Sequence, residues 1–478
     1  MKTPWIVAAS FFLLALLLAL GKAASAEVPR EDKPVDSMAA DSRISAALQQ
    51  VSAERIRVNI EKLVSFGTRS TISAQDPAAI ASGRGIGAAR DWIRSEFERY
   101  SKDCGGCLEV KTDSFTEPPA DRIPQATEIT NVYAVLRGTD AENAKRVVLV
   151  TGHYDSRNSE ILDTKGDAPG ANDDASGAAV SLECARVLSK LKFPATIIFL
   201  TVAGEEQGLN GSRHFAKLAG EQMVKEKKAK EQGWMLEAVL NNDIIGGDKS
   251  AEQDHSVVRV FSEGLPAAAT EKEMERIRGL GGENDSASRQ LARYIADVGR
   301  AYQDAVGVKP MLVFRLDRYL RGGDHYSFNQ QGFAAVRFTE FREDFHHQHQ
   351  NVRTESGVEY GDLAKFVDFD YVARVARLNA ATLAELASAP APPVNVHLLT
   401  KSLENDSTLT WEVAPGSLAS AYEIIWRGTT SPEWEHVQRV GNVQRATVKL
   451  SKDNVIFGVR AVDAQGHRSL PVVPLPER

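Results

Sequence analysis

From residue 108 onward the chain alternates short, almost wholly apolar runs with stretches of helical periodicity. The runs at 108–110, 131–137, 146–151, 196–202, 238–244, 311–315 and 334–339 are rich in β-branched residues and predict strands. Helical patterns fall between them at 176–190, 211–219, 287–305 and 363–387. Two more precede the first strand, at 43–64 and 85–101, the second carrying Ile86, Trp92, Ile93 and Phe97 at helix spacing. Strands that are apolar on both faces and alternate with helices predict an α/β fold, a mostly parallel mixed sheet covered by helices on both faces. In such a sheet ligands collect beyond the carboxyl ends of the strands. The pattern changes at Ser388-Ala-Pro-Ala-Pro-Pro393, where helical periodicity stops. Short strands carrying Trp411, Tyr422 and Trp426 then predict a small all-β sandwich domain at the C-terminus.

The first residues read as a targeting segment. Lys2 precedes an apolar stretch at 5–20, and Ala24-Ser25-Ala26 supplies small residues for cleavage. The expected organisation is a signal peptide over 1–26, a polar linker over 27–42, an α/β domain over 43–387, a second linker over 388–393 and the β-sandwich over 394–478. An exported protein, periplasmic or extracellular, follows, with no stable membrane insertion after cleavage. Export gives meaning to the three cysteines. Cys104-Gly-Gly-Cys107 has no second CxxC to complete a zinc site and reads as a local disulfide, whereas Cys184 falls in an apolar helix as a small core residue. Gly83-Arg-Gly-Ile-Gly87 has the look of a dinucleotide fingerprint but follows no strand. The formal charge of −7 over 478 residues argues against nucleic acid as a partner.

Candidate chemistry gathers at predicted strand ends. His153 closes one strand, and Asp155, two residues on, can fix the tautomer of its ring. Asn172-Asp173-Asp174 opens a helix after Pro169-Gly-Ala, more acid than a helix cap needs. Glu205 and Glu206 follow another strand, separated from it by Gly204. Asp243 interrupts an apolar strand end, a costly place for an unpaired carboxylate. Phe345-His-His-Gln-His349 concentrates histidines after the strand ending near Glu340, and a histidine-rich loop has metal binding as its leading physical use. Oxygen and imidazole donors from these strand ends suit zinc with an open position. Two ions would share one bridging carboxylate, and one glutamate would stay off the metals to move a proton.

In chain order, His153-x-Asp155, Gly170-Ala-Asn-Asp173-Asp-Ala-Ser-Gly177, Gly204-Glu-Glu206, Asn242-Asp243 and Asp324-His-x-x-Phe328 resemble the motifs of the exported co-catalytic zinc aminopeptidases. That superfamily also holds glutamate carboxypeptidases and glutaminyl cyclases. The resemblance spans about residues 60–385 and implies two zinc ions. His153 and Asp243 would share one ion, Asp173 would bridge to the second, and Glu206 with a last histidine would complete it. Glu205 would be the general base, and Asp155 would orient His153. The family closes with an aromatic residue, the ligand histidine and an aspartate four positions later. Here Phe345 selects His346, while Asn351, in the aspartate's place, selects His347. The expectation is His347, with His346 and His349 as the other candidates.

The resemblance implies a metallopeptidase, most naturally an aminopeptidase acting on peptide substrates through a water shared by the ions. A carboxypeptidase of the same superfamily is the alternative, with Arg315, Arg318 and Arg321 as cations for a C-terminal carboxylate. A glutaminyl cyclase would use one zinc, which His153 argues against. A non-catalytic binding protein on the same fold would have lost ligands, and none is lost. The C-terminal order of Trp411, Tyr422, Trp426, Phe457-Gly-Val-Arg-Ala-Val-Asp463 and Gly466 resembles a fibronectin type III domain.

Overall fold

The computed structural model describes residues 33–34, 38–229 and 234–478. The expected signal peptide lies outside the described residues. Among those described, no helix is long and apolar enough to cross a membrane.

Eight strands form the central sheet: β1 (Leu108–Glu117), β2 (Thr127–Leu136), β3 (Arg146–His153), β4 (Thr196–Val202), β5 (Met235–Asn242), β6 (Val257–Ser262), β7 (Lys309–Val313) and β8 (Ala335–Thr339). Their spatial order is β1-β2-β4-β3-β5-β8-β6-β7. The middle four, β4-β3-β5-β8, are mutually parallel. Antiparallel pairings join β2 to β4 and β6 to β8, so the sheet is mixed with a parallel centre. Because the central strands run the same way, His153, Gly204-Glu205-Glu206, Asp243 and the loop after Thr339 all leave the sheet at one edge.

Every residue of β3 and β4 is buried. Alternation divides them between two layers. Val148, Val150, Ile197, Phe199, Ala238 and Leu240 pack on helices Ala53–Val64, Ile86–Asp103, Ala175–Leu188 and Phe369–Ser388. Val147, Leu149, Ile198, Leu200 and Val202 face Phe215 and Ala216 of helix Asn210–Ala229 and Phe328 of Asp324–Asn329. Helix Ala175–Leu188 approaches the sheet closely. A Cβ on Gly152 would lie 2.3 Å from the Gly177 carbonyl carbon, and one on Gly177 would lie 2.2 Å from the Asn242 carbonyl oxygen. Glycine at both positions lets the start of that helix, with Asp173 and Asp174 before it, sit against the ends of β3 and β5.

Three sequence expectations shift. The 43–64 pattern is two helices, Ser42–Leu48 and Ala53–Val64, because Ser52 caps the second with its side chain. The stretch at 249–286, for which the pattern predicts no strand or helix, supplies β6 and the helix Glu271–Leu280. The strand expected at 311–315 runs from Lys309 to Val313. Cys104 and Cys107 are joined in a disulfide, and Cys184 is buried.

The C-terminal region has two sheets: one built on Ala421–Gly428 with Val455–Val462 and His436–Gly441, to which Lys33–Pro34 of the expected linker adds a fourth strand, and a four-stranded one built on Ser407–Glu412 with Val394–Leu399. Trp411, Tyr422, Ile424, Trp426, Phe457 and Val459 form its core. This small domain is not hung on a free tether. Ala389 and Ala391 are buried, and Arg146 donates to the Ala389 carbonyl at 2.8 Å. Arg427 of the small domain lies 2.6 Å from Asp285 of the large one, with side chains only 2% and 5% exposed.

Candidate metal centre

His153, at the end of β3, is fully buried. Its Nδ1–H donates to the Asp155 carbonyl oxygen at 3.2 Å, with Asp155 Oδ1 at 3.5 Å. That tautomer leaves a lone pair on Nε2. Nε2 has no hydrogen-bond partner of proper geometry, and it stands 3.1 Å from Asp173 Oδ1 and 3.9 Å from Asp243 Oδ1. Asp155 also accepts from Thr71 Oγ1 at 2.9 Å and from the backbone N–H of Glu206 at 3.2 Å. One carboxylate thus ties the β3 end to the β4 end.

Gly204, at φ +80°, turns the chain off β4 so that Glu205 and Glu206 follow at the sheet edge. Glu206 is buried. Its Oε2 lies 3.2 Å from His349 Nε2 and its Oε1 has no partner. The other neighbour of His349 Nε2 is Asp173 Oδ2, at 3.0 Å. Among the described residues three groups of metal-type ligand atoms occur; His153–Asp173–Asp243 and Asp173–Glu206–His349 share Asp173, and the third, Asp248–Asp344–His347, does not include it.

The structure corrects one expected ligand. His347 does not reach Asp173 or Glu206. Its Nδ1 bonds Asp248 Oδ2 at 2.8 Å, and its ring stacks on Phe366 at 3.7 Å between centroids. The reason lies in the backbone: Asp344 accepts from the N–H groups of His347 and Gln348 in a tight turn, and His349 takes a positive φ of 55° that carries its ring back to the sheet edge. His346 is exposed and bonded to Asp344. Spacing from Asn351 could not register that turn, which brings His349, two residues on, to Asp173 and Glu206 in place of His347.

Charge explains the local pKa directions. Burial would raise Asp173, but hydrogen bonds and charge from His153 and His349 hold it well below the carboxylate range. Glu205 is pushed well up by burial and by the charges of Glu206, Asp243 and Asp324, against the pull of His153. Glu206 is also raised, by burial and by Asp173. Burial brings Asp324 to about 7, and neither of its oxygens has a partner of proper geometry. Orphaned buried donors and a surplus of carboxylate are what a cation would resolve. The donor set of imidazole and carboxylate oxygen fits zinc.

Sequence reasoning missed several supports. Arg69, fully buried, donates to the carbonyls of Leu63, Tyr154, Pro169 and Gly170 and so fixes the loop before Asp173. Asp174 accepts from the His153 and Gly177 N–H groups, and Asp362 from those of Asn172 and Asp173 at 2.8 and 2.7 Å. Arg337, in β8, lies 2.9 Å from Asp243 Oδ1. Arg337 left a signal as a charge inside an apolar strand, and Asp174 as part of the Asn/Asp run at 172–174; Arg69 and Asp362 sit in loops of ordinary polarity.

A family model, peptidase family M28, matches residues 131–367, which hold every residue of both ligand groups. A "Probable zinc metalloprotease" of Pyrenophora tritici-repentis is 45% identical over 91% of this chain and 87% of its own length. The chain belongs to peptidase family M28. A second "Probable zinc metalloprotease" of the family, from Pyricularia oryzae, is 46% identical over 96% of this chain and 90% of its own. Among solved structures, the Legionella pneumophila LapA aminopeptidase is similar at 20% identity and a TM-score of 0.49, over 75% of this chain and 78% of that one. As a member of family M28 the protein is a zinc metallopeptidase.

Proposed function

We propose that this zinc metallopeptidase is an exported aminopeptidase with two zinc ions. The observation that carries the two-ion reading is the pair of ligand groups joined through Asp173. His153 and Asp243 would hold one ion, Glu206 and His349 the other, and Asp173 both. Zinc bound there supplies Lewis acidity, acidifying water and polarising a carbonyl. Glu205 is the chain's proton carrier. Its raised affinity for a proton suits it to accept one from water and to deliver it to the leaving amine. Asp155 holds the His153 ring and the Glu206 backbone in register, a positioning role.

Preference for a free N-terminus over a C-terminal carboxylate is supported by what the arginines do. Arg318 and Arg321 each approach Glu343 Oε2 at 2.7 Å, and Arg315 stacks on Tyr319 at 3.8 Å. The cations available for a C-terminal carboxylate are already engaged. Export is supported by the sequence at 1–26 and by the Cys104–Cys107 disulfide. The C-terminal sandwich, read as fibronectin type III-like, is an accessory module carrying none of the site residues.

The test is hydrolysis by zinc-replete protein of aminoacyl substrates, N-blocked peptides and carboxy-terminal substrates, with and without chelator. Release from free N-termini alone, lost with chelator, is the expected result. Efficient release from N-blocked peptides would overturn the aminopeptidase reading.

A further inference from the structure

Arg337 is fully buried in β8. One terminal nitrogen of its guanidinium lies 2.9 Å from Asp243 Oδ1, the same oxygen that faces His153 Nε2 at 3.9 Å. The other lies 3.2 Å from Asp317 Oδ2 and donates to the Gly322 carbonyl at 2.7 Å. The group is enclosed where it stands: a Cβ on Gly323 would come within 2.6 Å of it and 3.2 Å of Asp243 Oδ2. A guanidinium cannot shed its proton, so this positive charge is permanent.

Among the described residues no guanidinium meets a side-chain oxygen of Glu206; Arg122 donates only to its backbone carbonyl, at 3.1 Å. Glu206 Oε1 is buried without a partner, and Oε2 meets only the imidazole of His349, which can lose its proton to receive a metal. The two groups therefore offer unequal donors. Asp243 lends part of its charge to Arg337, while Glu206 keeps all of its own.

We infer that Arg337 is a positioning residue that weakens zinc at His153–Asp173–Asp243 relative to zinc at Asp173–Glu206–His349, by engaging Asp243 and setting a fixed cation beside it. The inference rests on the two-ion reading above. A fixed positive charge 2.9 Å from a ligand oxygen repels a metal ion competing for that oxygen, and affinity there is expected to fall about tenfold or more. At limiting zinc the protein then holds one ion, at Glu206 and His349.

The experiment is a zinc titration of chelator-stripped protein against a chromophoric zinc chelator of known affinity, with melting temperature followed in parallel. Wild type is expected to show two classes about tenfold or more apart. Arg337→Gln should tighten the weaker class and close the gap. Asp317→Asn, which leaves Asp243 as the guanidinium's remaining carboxylate partner at that short range, should weaken it further. His153→Ala should abolish the weaker class and spare the stronger. Equal classes in wild type, or an Arg337→Gln protein of normal melting temperature whose weaker class is unchanged or looser, would overturn the inference. If Arg337→Gln does not fold, Asp317→Asn decides: a weaker class left unchanged or made tighter overturns it. A single zinc per wild-type chain would instead overturn the two-ion reading, so the two failures are distinguishable.

Discussion

Buried charge gathers in two regions of this molecule, the strand-end site and the seam between the large domain and the C-terminal sandwich. At the seam most buried carboxylates meet a guanidinium, while Glu385 meets His467 and Tyr302. Asp285 lies 2.6 Å from Arg427 and 3.6 Å from Arg293, and Glu423 2.8 Å from Arg460 and 3.2 Å from Arg468; Glu433 and Arg300, 2.5 Å apart, are a half-exposed pair at its rim. Burial would raise Glu423, but Arg460 and Arg468 hold it below the usual range; Asp297, deeper, is raised by burial despite its arginine partners. At the strand ends, Glu205, Glu206 and Asp324 are all pushed up, and carboxylate oxygens of Glu206 and Asp324 lack a hydrogen-bond donor, whereas at the seam the atoms without one are guanidinium nitrogens of Arg293 and Arg427. The difference separates two uses of buried charge. Matched charge fixes geometry, and unmatched charge of one sign asks for a cation.

The comparison can be broken most forcefully at Glu205. Glu205→Gln should lower kcat by about 10²–10⁴-fold, with zinc content and melting temperature held. Substantial retained turnover would remove Glu205 from proton transfer. Next in size is zinc removal: with zinc at about a thousand times its dissociation constant, each ion contributes about 4 kcal/mol to stability. Chelation should lower the melting temperature accordingly, with hydrogen-exchange protection lost at the ends of β3 to β5 and retained along the seam. Equal loss in both regions would mean that they are not independent.

Asp285→Ala should act the other way round. It leaves Arg427 and Arg293 without their carboxylate and should cost about 3 kcal/mol in denaturant unfolding, while kcat per folded molecule stays near wild type. A large fall in kcat would show that the seam reaches the site. The smallest effect concerns His467, which lies between Glu385 at 2.8 Å and Asp41 at 3.5 Å, with Asp463 and Tyr302 close by. Burial would lower its pKa, but the bond to Glu385 and the surrounding carboxylates raise it. A raised folded value means the imidazolium's contribution is complete below about 6.5, the unfolded value, and fades as pH climbs through the folded one. Stability compared on the two sides of that range should therefore fall with alkalinity in wild type and fall less in His467→Gln.

Much of this was legible in the sequence where chemistry and periodicity coincide. The continuous apolar runs of β3 and β4 announced buried parallel strands. His153, Asp173, Glu206 and Asp243 each stand just past such a run or before the helix that follows it, so reading the strands located residues that the structure brings together. What stayed hidden depends on turns and long-range contacts. His349 is set by a tight turn and a positive φ that spacing cannot express. Arg69 and Asp362 act through backbone hydrogen bonds across about a hundred residues or more of chain. β6 lay inside a stretch whose Gly, Glu and Asp content masked its alternation.

The proposed site holds two zinc ions on unmatched strand-end charge, with His349, not His347, completing the second group. Zinc content per chain, measured by elemental analysis after dialysis at fixed free zinc, tests it in wild type, His347→Ala and His349→Ala. The account predicts two ions, two ions and one. One ion in wild type, or an ion lost from His347→Ala and kept by His349→Ala, would contradict it.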